Sequence, residues 1–559
     1  LIGVCEEVLL EAASTALRAA QVYLGQARDA CLRAVVVEGK VDAARLEAEQ
    51  RRVHGYAWAA TIVASLAQLL AWAERLAAGG GGPDAGERLI LRIAFGEYLG
   101  QLLGGLPMSQ NELVRPADLG CTRAASRLGE DAAVQVFLGA AGAAAARRAL
   151  SDRLLDGWRP DDRLGDETLD MIREQLRQFV DERIAPHAHG WHRADALIPD
   201  GLVAEMAALG VFGMCIDPAH GGLGLGKLAM CVASEELSRG WIAAGSLGTR
   251  SEIAGELIGV NGTAAQQAYW LPLIASGKVL PAAVFTEPDT GSDLASVKTR
   301  AAREADGSWK ITGAKTWITH AARSDLMTVL ARSDPRQPGH AGLSIFLAAK
   351  TRRNEHDDFP DAGLDGAEIQ VLGYRGMKEY ILSFDGFAVG SEGLLGATQG
   401  AGFRQLMQTF EAARIQTAAR AVGVARNALD LAVNYAVERK QFGKRLGAFP
   451  RVADKLAMMA VETIAARELT YFAARAKDSG SRCDVEAGMA KLLAARVAWS
   501  NADAGVQIHG ANGYALDYEI SRVLCDARVL SIFEGAAEIQ AGVVGRGLLG
   551  QARKEGLLF

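Results

Sequence analysis

Leu326-Met327-Thr328-Val329-Leu330-Ala331-Arg332-Ser333-Asp334-Pro335-Arg336-Gln337-Pro338-Gly339-His340-Ala341-Gly342-Leu343-Ser344-Ile345-Phe346-Leu347-Ala348 sets two short apolar runs on either side of a segment rich in Asp, Pro and Gly. Short apolar runs bounded by such turn residues read as strands. A third run at 309–312 has the same texture, so residues 281–397 are expected to form a small β domain. On both sides the pattern changes to the helical period. Before it, 22–37, 56–76 and 89–103 carry apolar residues at helical spacing in a region dominated by Ala and Leu. After it, 405–435, 450–476 and 485–503 are long, amphipathic and alanine-rich, as in a helix bundle. The expected class is α+β, mainly α. A helical extension over 1–152 is followed by a helical domain over 165–280, the β domain, and a C-terminal helix bundle over 398–559. Gly79-Gly80-Gly81-Gly82-Pro83-Asp84 breaks the first block, and a charged stretch at 153–166 containing Pro160 reads as a linker. A glycine-rich turn, His220-Gly221-Gly222-Leu223-Gly224, interrupts the second block.

A chain of 559 residues calls for several domains. Half of it is apolar and 23% charged, an ordinary globular balance. A net charge of −6 with no long basic run speaks against nucleic acid as a partner. The seven cysteines are scattered, odd in number and without a CxxC pair, which fits a reducing cytoplasm and indicates neither a disulfide framework nor a metal site. The start at Leu1 points to numbering that begins inside a longer chain, and no secretory signal is visible. Residues 56–73 lack charge, at the lower limit of spanning length. Their small residues, with Thr61, Ser65 and Gln68, favour a buried helix over a membrane span.

Five motifs carry chemistry. Phe285-Thr286-Glu287-Pro288-Asp289-Thr290-Gly291-Ser292-Asp293 is a turn whose hydroxyls and N–H groups suit a polar ring or a phosphate; alone it is more often a plain loop. In Lys315-Thr316-Trp317-Ile318-Thr319, strand alternation puts Trp317 and Thr319 on one face, although a single Trp is more often core than cofactor platform. Glu438-Arg439-Lys440-Gln441-Phe442-Gly443 ends a helix with a cation and an aromatic, which alone reads as a solvated helix end. Gln507-Ile508-His509-Gly510-Ala511-Asn512-Gly513 is glycine-rich enough for close approach to a ligand, or for a simple helix connection. In Ser531-Ile532-Phe533-Glu534-Gly535-Ala536-Ala537-Glu538-Ile539-Gln540, Glu534 follows two bulky apolar residues. Desolvation there would raise its pKa and make it a usable base. A surface glutamate near a helix start is the alternative.

Together and in this order, the motifs resemble the acyl-CoA dehydrogenase family over about residues 165–559. The resemblance implies a fold of helical domain, small β domain and four-helix bundle, with the N-terminal extension added to it. It implies FAD as cofactor. Thr286 matches the family threonine bonded to the flavin ring, Gly291 and Ser292 the turn beside its phosphates, Trp317 the tryptophan on the isoalloxazine and Thr319 the hydroxyl near N5. Arg439, Gln441 and Phe442, with Gln507, Gly510 and Gly513, match segments that reach the ADP half across a subunit interface, implying at least a homodimer. Glu411 and Arg414 match CoA contacts. Glu534 matches the base in its commonest location. The minority location, just before Arg414, holds Ala413, which cannot take a proton. Many relatives have threonine where this chain has Ala536, so one cofactor hydrogen bond, typically ~0.5–1.5 kcal/mol, is expected to be lost.

The implied reaction is α,β-dehydrogenation of an acyl-CoA thioester, with Glu534 taking the α-proton and the β-hydrogen leaving as hydride. The thioester oxygen would accept from the backbone N–H of the base and from a ribityl hydroxyl. Electrons would pass on to an electron-transfer flavoprotein. The extension and Gly373-Tyr374-Arg375-Gly376-Met377-Lys378-Glu379-Tyr380 point within the family to a short, branched acyl group with a second, free carboxylate. Arg250, in Gly245-Ser246-Leu247-Gly248-Thr249-Arg250, is the candidate clamp for that carboxylate, against the alternative of a surface salt bridge. The extension would either cover the surface on which family tetramers pair their dimers, leaving a dimer, or wall off the pocket. An acyl-CoA oxidase or a flavin monooxygenase of the same fold is the rival within the fold. The second has no use for a carboxylate at 534. A non-catalytic nucleic-acid binder would need a basic surface that the composition lacks.

Overall fold

A computed structural model describes residues 6–78 and 82–551. The break at Gly79-Gly80-Gly81 and Cys5 lie outside the described residues. The chain divides into two compact units, Met171–Gln416 and a second made of Leu1–Asp170 with Thr417–Phe559.

The Met171–Gln416 unit joins helices to a sheet. Its helices include Glu167–Phe179, which begins just before the boundary, Lys227–Gly240, Ile242–Asn261 and Ala264–Ala275. Ala264–Ala275 starts on a capping box in which Thr263 and Gln266 each accept from the other's backbone N–H. The predicted apolar runs lie in strands Trp309–Thr319, Leu326–Arg332 and Leu343–Ala349. Among the described residues the sheet has seven strands. Leu364–Ile369, Glu379–Val389, Trp309–Thr319, Arg300–Arg303, Leu326–Arg332 and Pro281–Val284 follow one another across it, and Leu343–Ala349 pairs with Leu326–Arg332. One face packs Ile311, Ile318, Val329, Phe346, Tyr380 and Phe384 into a core. A second core joins Leu326, Leu330 and Ile345 to the helical residues Leu257, Ile258 and Ala413. Strand alternation supplies both faces, which is why the runs are apolar throughout.

The other unit is helical. The helix Gln50–Ala78 is long and apolar enough to cross a membrane by length and composition, yet 83% of its most apolar window is buried in the fold. It packs against Glu6–Val35, Ala85–Gly104, Pro450–Asp478 and Ala537–Gln551. The approach to the last is close, because a Cβ at Gly545 would stand 2.5 Å from Val53 Cγ1. Polar contacts fasten the same surfaces. Arg75 pairs with Glu468, Arg147 Nε reaches Asp454 Oδ1 at 3.2 Å, and the Arg496 guanidinium lies 4.8 Å from the Trp58 ring centre. Asp84 and Glu87 form a capping box that starts Ala85–Gly104. The stretch read as a linker begins as helix, to Leu155. Beyond it, Trp158 Nε1 donates to Asp84 Oδ2 at 2.6 Å and the Asp161 N–H to Glu87 Oε1 at 3.0 Å. The linker is thus tied down onto the extension.

Candidate active site

In the Met171–Gln416 unit, strand Pro281–Val284 leads into the turn quoted above. Glu287 and Thr290 exchange backbone hydrogen bonds of 2.9 and 3.0 Å. The Glu287 carboxylate is buried and accepts from the N–H groups of Lys298 and Thr299, both at 2.8 Å, and from Lys315 Nζ at 3.2 Å. Burial pushes its proton affinity up, but the Lys315 ammonium and these donors outweigh that and hold the carboxyl below its usual range. Burial brings Lys315 itself down to about 8. This buried pair fixes the turn on which Thr286, Gly291 and Ser292 sit. Thr286 Oγ1 donates to the Thr316 carbonyl, and the Thr316 N–H donates back to Thr286 O at 3.0 Å. Gly291 and Ser292 are exposed, and a Cβ at Gly291 would meet no protein atom within 4 Å.

The expected alternation of Trp317 and Thr319 does not hold. The ladder to Glu379–Val389 shifts register between Tyr380 and Leu382, and Trp317 has φ 58°. An extra residue in one strand re-aims the side chain there. Trp317 is 59% exposed, whereas Thr319 is buried with its hydroxyl donating to Glu379 Oε1 at 2.8 Å. Next in sequence, His320 is also left-handed, at φ 69°, and both ring nitrogens are buried without a hydrogen-bond partner. Burial first, then the charges of Arg323, Arg352, Arg250 and Lys350, hold its imidazole well below the usual pKa.

Arg250 lies on Ile242–Asn261 and is 7% exposed, which removes the surface salt bridge as its explanation. One turn before it, Ser246 Oγ shares a hydrogen bond with the Tyr374 hydroxyl. A Cβ at Gly376 would strike Trp241, 2.3 Å away, so the segment 373–380 lies flat on the start of the Arg250 helix. Glu411 and Arg414 are half-buried on Gly402–Glu438, with the Arg414 guanidinium 5.9 Å from the Phe410 ring centre. Ala413 is sealed in the apolar core.

In the helical unit, Glu534 sits in the turn between helices Glu519–Val529 and Ala537–Gln551, not on a helix. Its φ is 52° and that of Gly535 is 90°. Such a left-handed pair costs of order 1–3 kcal/mol at a residue with a Cβ and persists only where the surroundings enforce it. Here they do. The buried Lys491 Nζ donates to Gly535 O at 2.6 Å, Gln540 Nε2 to Glu534 O at 3.1 Å, and the Arg420 guanidinium covers the Phe533 ring at 4.9 Å. Sequence reasoning missed these three. Their signal was present: Lys491 and Arg420 are cations inside long apolar helical runs. Glu534 itself is half-buried.

Arg439 and Gln441 are exposed at the hairpin Lys440–Gln441 with Lys444–Arg445. Phe442 and Gly443 at its tip both have positive φ, 50° and 76°, as a two-residue hairpin turn requires, and Phe442 is 91% exposed. Gln507 lies exposed in the last turn of Asp484–His509, so that motif is helical further than its glycines suggest. Gly510 ends the helix with φ 62° and open space where a Cβ would stand. Gly513 is there for packing, since a Cβ would lie 2.5 Å from Val506 O.

Three family models, the N-terminal, middle and C-terminal domains of acyl-CoA dehydrogenase, match residues 166–278, 282–387 and 400–549. The chain belongs to the acyl-CoA dehydrogenase family, flavin-dependent oxidoreductases acting on CH–CH bonds. It is 57% identical over 545 residues to a (2S)-methylsuccinyl-CoA dehydrogenase of Cereibacter sphaeroides, covering 97% of this chain and 98% of that one. A glutaryl-CoA dehydrogenase solved with glutaryl-CoA superposes with TM-score 0.66 at 31% identity, over 71% of this chain and 99% of the other. A Mycobacterium smegmatis glutaryl-CoA dehydrogenase in complex with FADH2 does so with TM-score 0.64 at 28% identity, over 70% and 97%.

Proposed function

We propose that the chain oxidises (2S)-methylsuccinyl-CoA to mesaconyl-CoA with FAD as cofactor. The observation that carries this reading is the 57% identity to the C. sphaeroides enzyme over 97% of the chain, a span that includes the N-terminal extension. The side chains present fit FAD. Trp317 offers an exposed ring near the end of strand Trp309–Thr319, Gly291 and Gly510 leave room where a Cβ would stand, and Phe442 is 91% exposed with one edge-on ring neighbour, Phe449. FAD, when bound, supplies the acceptor for the β-hydrogen.

Glu534 takes the α-proton, and the turn enforced by Lys491 and Gln540 aims its carboxylate. The backbone N–H of the same residue donates to the thioester oxygen, a preorganised contact of a kind that lowers a barrier by ~3–4 kcal/mol. Arg250, with the Ser246 and Tyr374 hydroxyls near it, receives the distal carboxylate; its burial among further cations near His320 supports that role. Glu411 and Arg414 hold the CoA chain. The exposure of Phe442 supports a cofactor site completed by a second copy, hence a homodimer. The acceptor is an electron-transfer flavoprotein by family analogy, and the scattered cysteines support a cytoplasmic setting.

The test is anaerobic flavin bleaching with methylsuccinyl-, ethylmalonyl-, isobutyryl-, glutaryl- and butyryl-CoA. Methylsuccinyl-CoA should bleach fastest; a faster reaction with butyryl-CoA would leave the family and remove the substrate. Arg250→Leu should raise KM for methylsuccinyl-CoA far more than for butyryl-CoA, and equal changes would end the clamp assignment.

A further inference from the structure

The extension holds a cavity of about 240 Å³ that the reaction does not use. It lies among helices Glu6–Val35, Ala85–Gly104, Ala132–Leu138 and Ala140–Leu155. Its walls are Leu9, Leu89, Val136, Phe137 and Ala149 with their neighbours, and three arginines, Arg88, Arg92 and Arg153, also line it. No carboxylate is among the described lining residues. Arg88 and Arg92 stand one turn apart on the same helix face, where like charges repel. Arg88 Nη1 is engaged with Pro83 O at 2.6 Å.

Arg92 is the informative residue. It is 7% exposed, and among the described residues it makes neither hydrogen bond nor ion pair. Several arginines as deeply buried have carboxylate partners, Arg173 with Glu235 and Glu236, Arg467 with Glu468 and Arg522 with Asp526, while Arg420 donates to Thr417 Oγ1 at 2.7 Å and covers the Phe533 ring. Burial lowers the proton affinity of Arg92, and no carboxylate among the described residues opposes it. A largely buried guanidinium with no carboxylate beside it among the described residues leaves its charge to be met by what enters the cavity.

We propose that this cavity binds a short-chain carboxylate, its head on Arg92 between Arg88 and Arg153 and its hydrocarbon against Leu9, Leu89 and Phe137. A guanidinium fork matches a carboxylate in geometry and charge. At roughly 30 Å³ per water-sized group, the volume takes about eight non-hydrogen atoms. A free acid of about six carbons fits, and a CoA thioester does not. The site belongs to the extension and shares no lining residue with those assigned to dehydrogenation, so it does not rest on the substrate named above.

The probe is hexanoate, titrated calorimetrically into the intact flavin-loaded protein, with inorganic phosphate as a head without a tail and hexan-1-ol as a tail without a head. Hexanoate should bind at least tenfold more tightly than either, with butyryl-CoA present at saturation. Arg92→Met should weaken hexanoate at least tenfold while leaving the rate of flavin reduction by acyl-CoA unchanged. Ala149→Leu fills the apolar end and keeps all three arginines; it should weaken hexanoate equally, which decides the matter should the first variant fail to fold. Equal affinity in Ala149→Leu and the parent, equal affinity for hexan-1-ol, or displacement of hexanoate by butyryl-CoA would each overturn the site.

Discussion

Glutamine in place of Glu534 keeps the shape of the side chain and removes its ability to take a proton. Glu534→Gln should bind FAD and acyl-CoA as before and reduce flavin at least ~10³-fold more slowly, the upper range for losing a positioned acid–base group. Stopped-flow bleaching reads this directly, and a near-normal rate would remove Glu534 from its role. His320 makes a second residue-scale prediction. Its folded pKa lies well below the unfolded value, so the unfolded chain binds the extra proton. Its contribution to stability is therefore complete above about pH 6.5 and is lost as pH falls below that, by about 1.4 kcal/mol per pH unit. His320→Asn, which tolerates the left-handed backbone, should flatten that acid limb in urea titrations at pH 5.5 and 7.5. An unchanged pH dependence would mean that the imidazole titrates normally. Both residues show what a sequence can and cannot announce. Glu534 stood out by its neighbours in the chain. His320 did not, because its burial and the charges of Arg323, Arg352, Arg250 and Lys350 that act on it are brought together only by the fold.

Among elements, the turn from Phe533 to Gly535 is held from outside itself, by a lysine on Asp484–His509 and a glutamine on Ala537–Gln551. Lys491→Met removes the donor to Gly535 O. The expected cost is about 1–3 kcal/mol of stability and roughly a 10²-fold loss in kcat from a misplaced base, with KM little changed. Loss of stability with full kcat would make the lysine a packing residue only. The strand Trp309–Thr319 carries the opposite lesson. That it forms a strand was legible from the short apolar run at 309–312. The exposure of Trp317 was not, because it depends on a bulge set by the facing strand Glu379–Val389. Register belongs to a pair of strands, and one strand's sequence holds half of it. The exposed aromatic Phe442 was easier to read, at a helix end before glycine, although the hairpin that carries it was not.

At the scale of the whole chain, the N-terminal helices and the C-terminal bundle form one packed unit. Their helical character was evident from periodicity. Their partnership was not, because alanine-rich faces on helices some four hundred residues apart carry no label of what they meet. A chain lacking residues 1–155 would bare the surfaces of Pro450–Asp478 and Ala537–Gln551 that now cover Gln50–Ala78. It should be recovered mainly as aggregate, and any soluble fraction should bind a hydrophobic dye; a monodisperse, active truncation would show the extension to be dispensable. The same arrangement bears on how the protein is made. The helix Gln50–Ala78 leaves the ribosome about 470 residues before its last covering helix, Ala537–Gln551, is complete. At ~5–20 residues per second that is a wait of roughly half a minute to a minute and a half. Through that interval its apolar face has only Glu6–Val35, Ala85–Gly104 and their neighbours to shelter it, and a holding chaperone would find its binding site there.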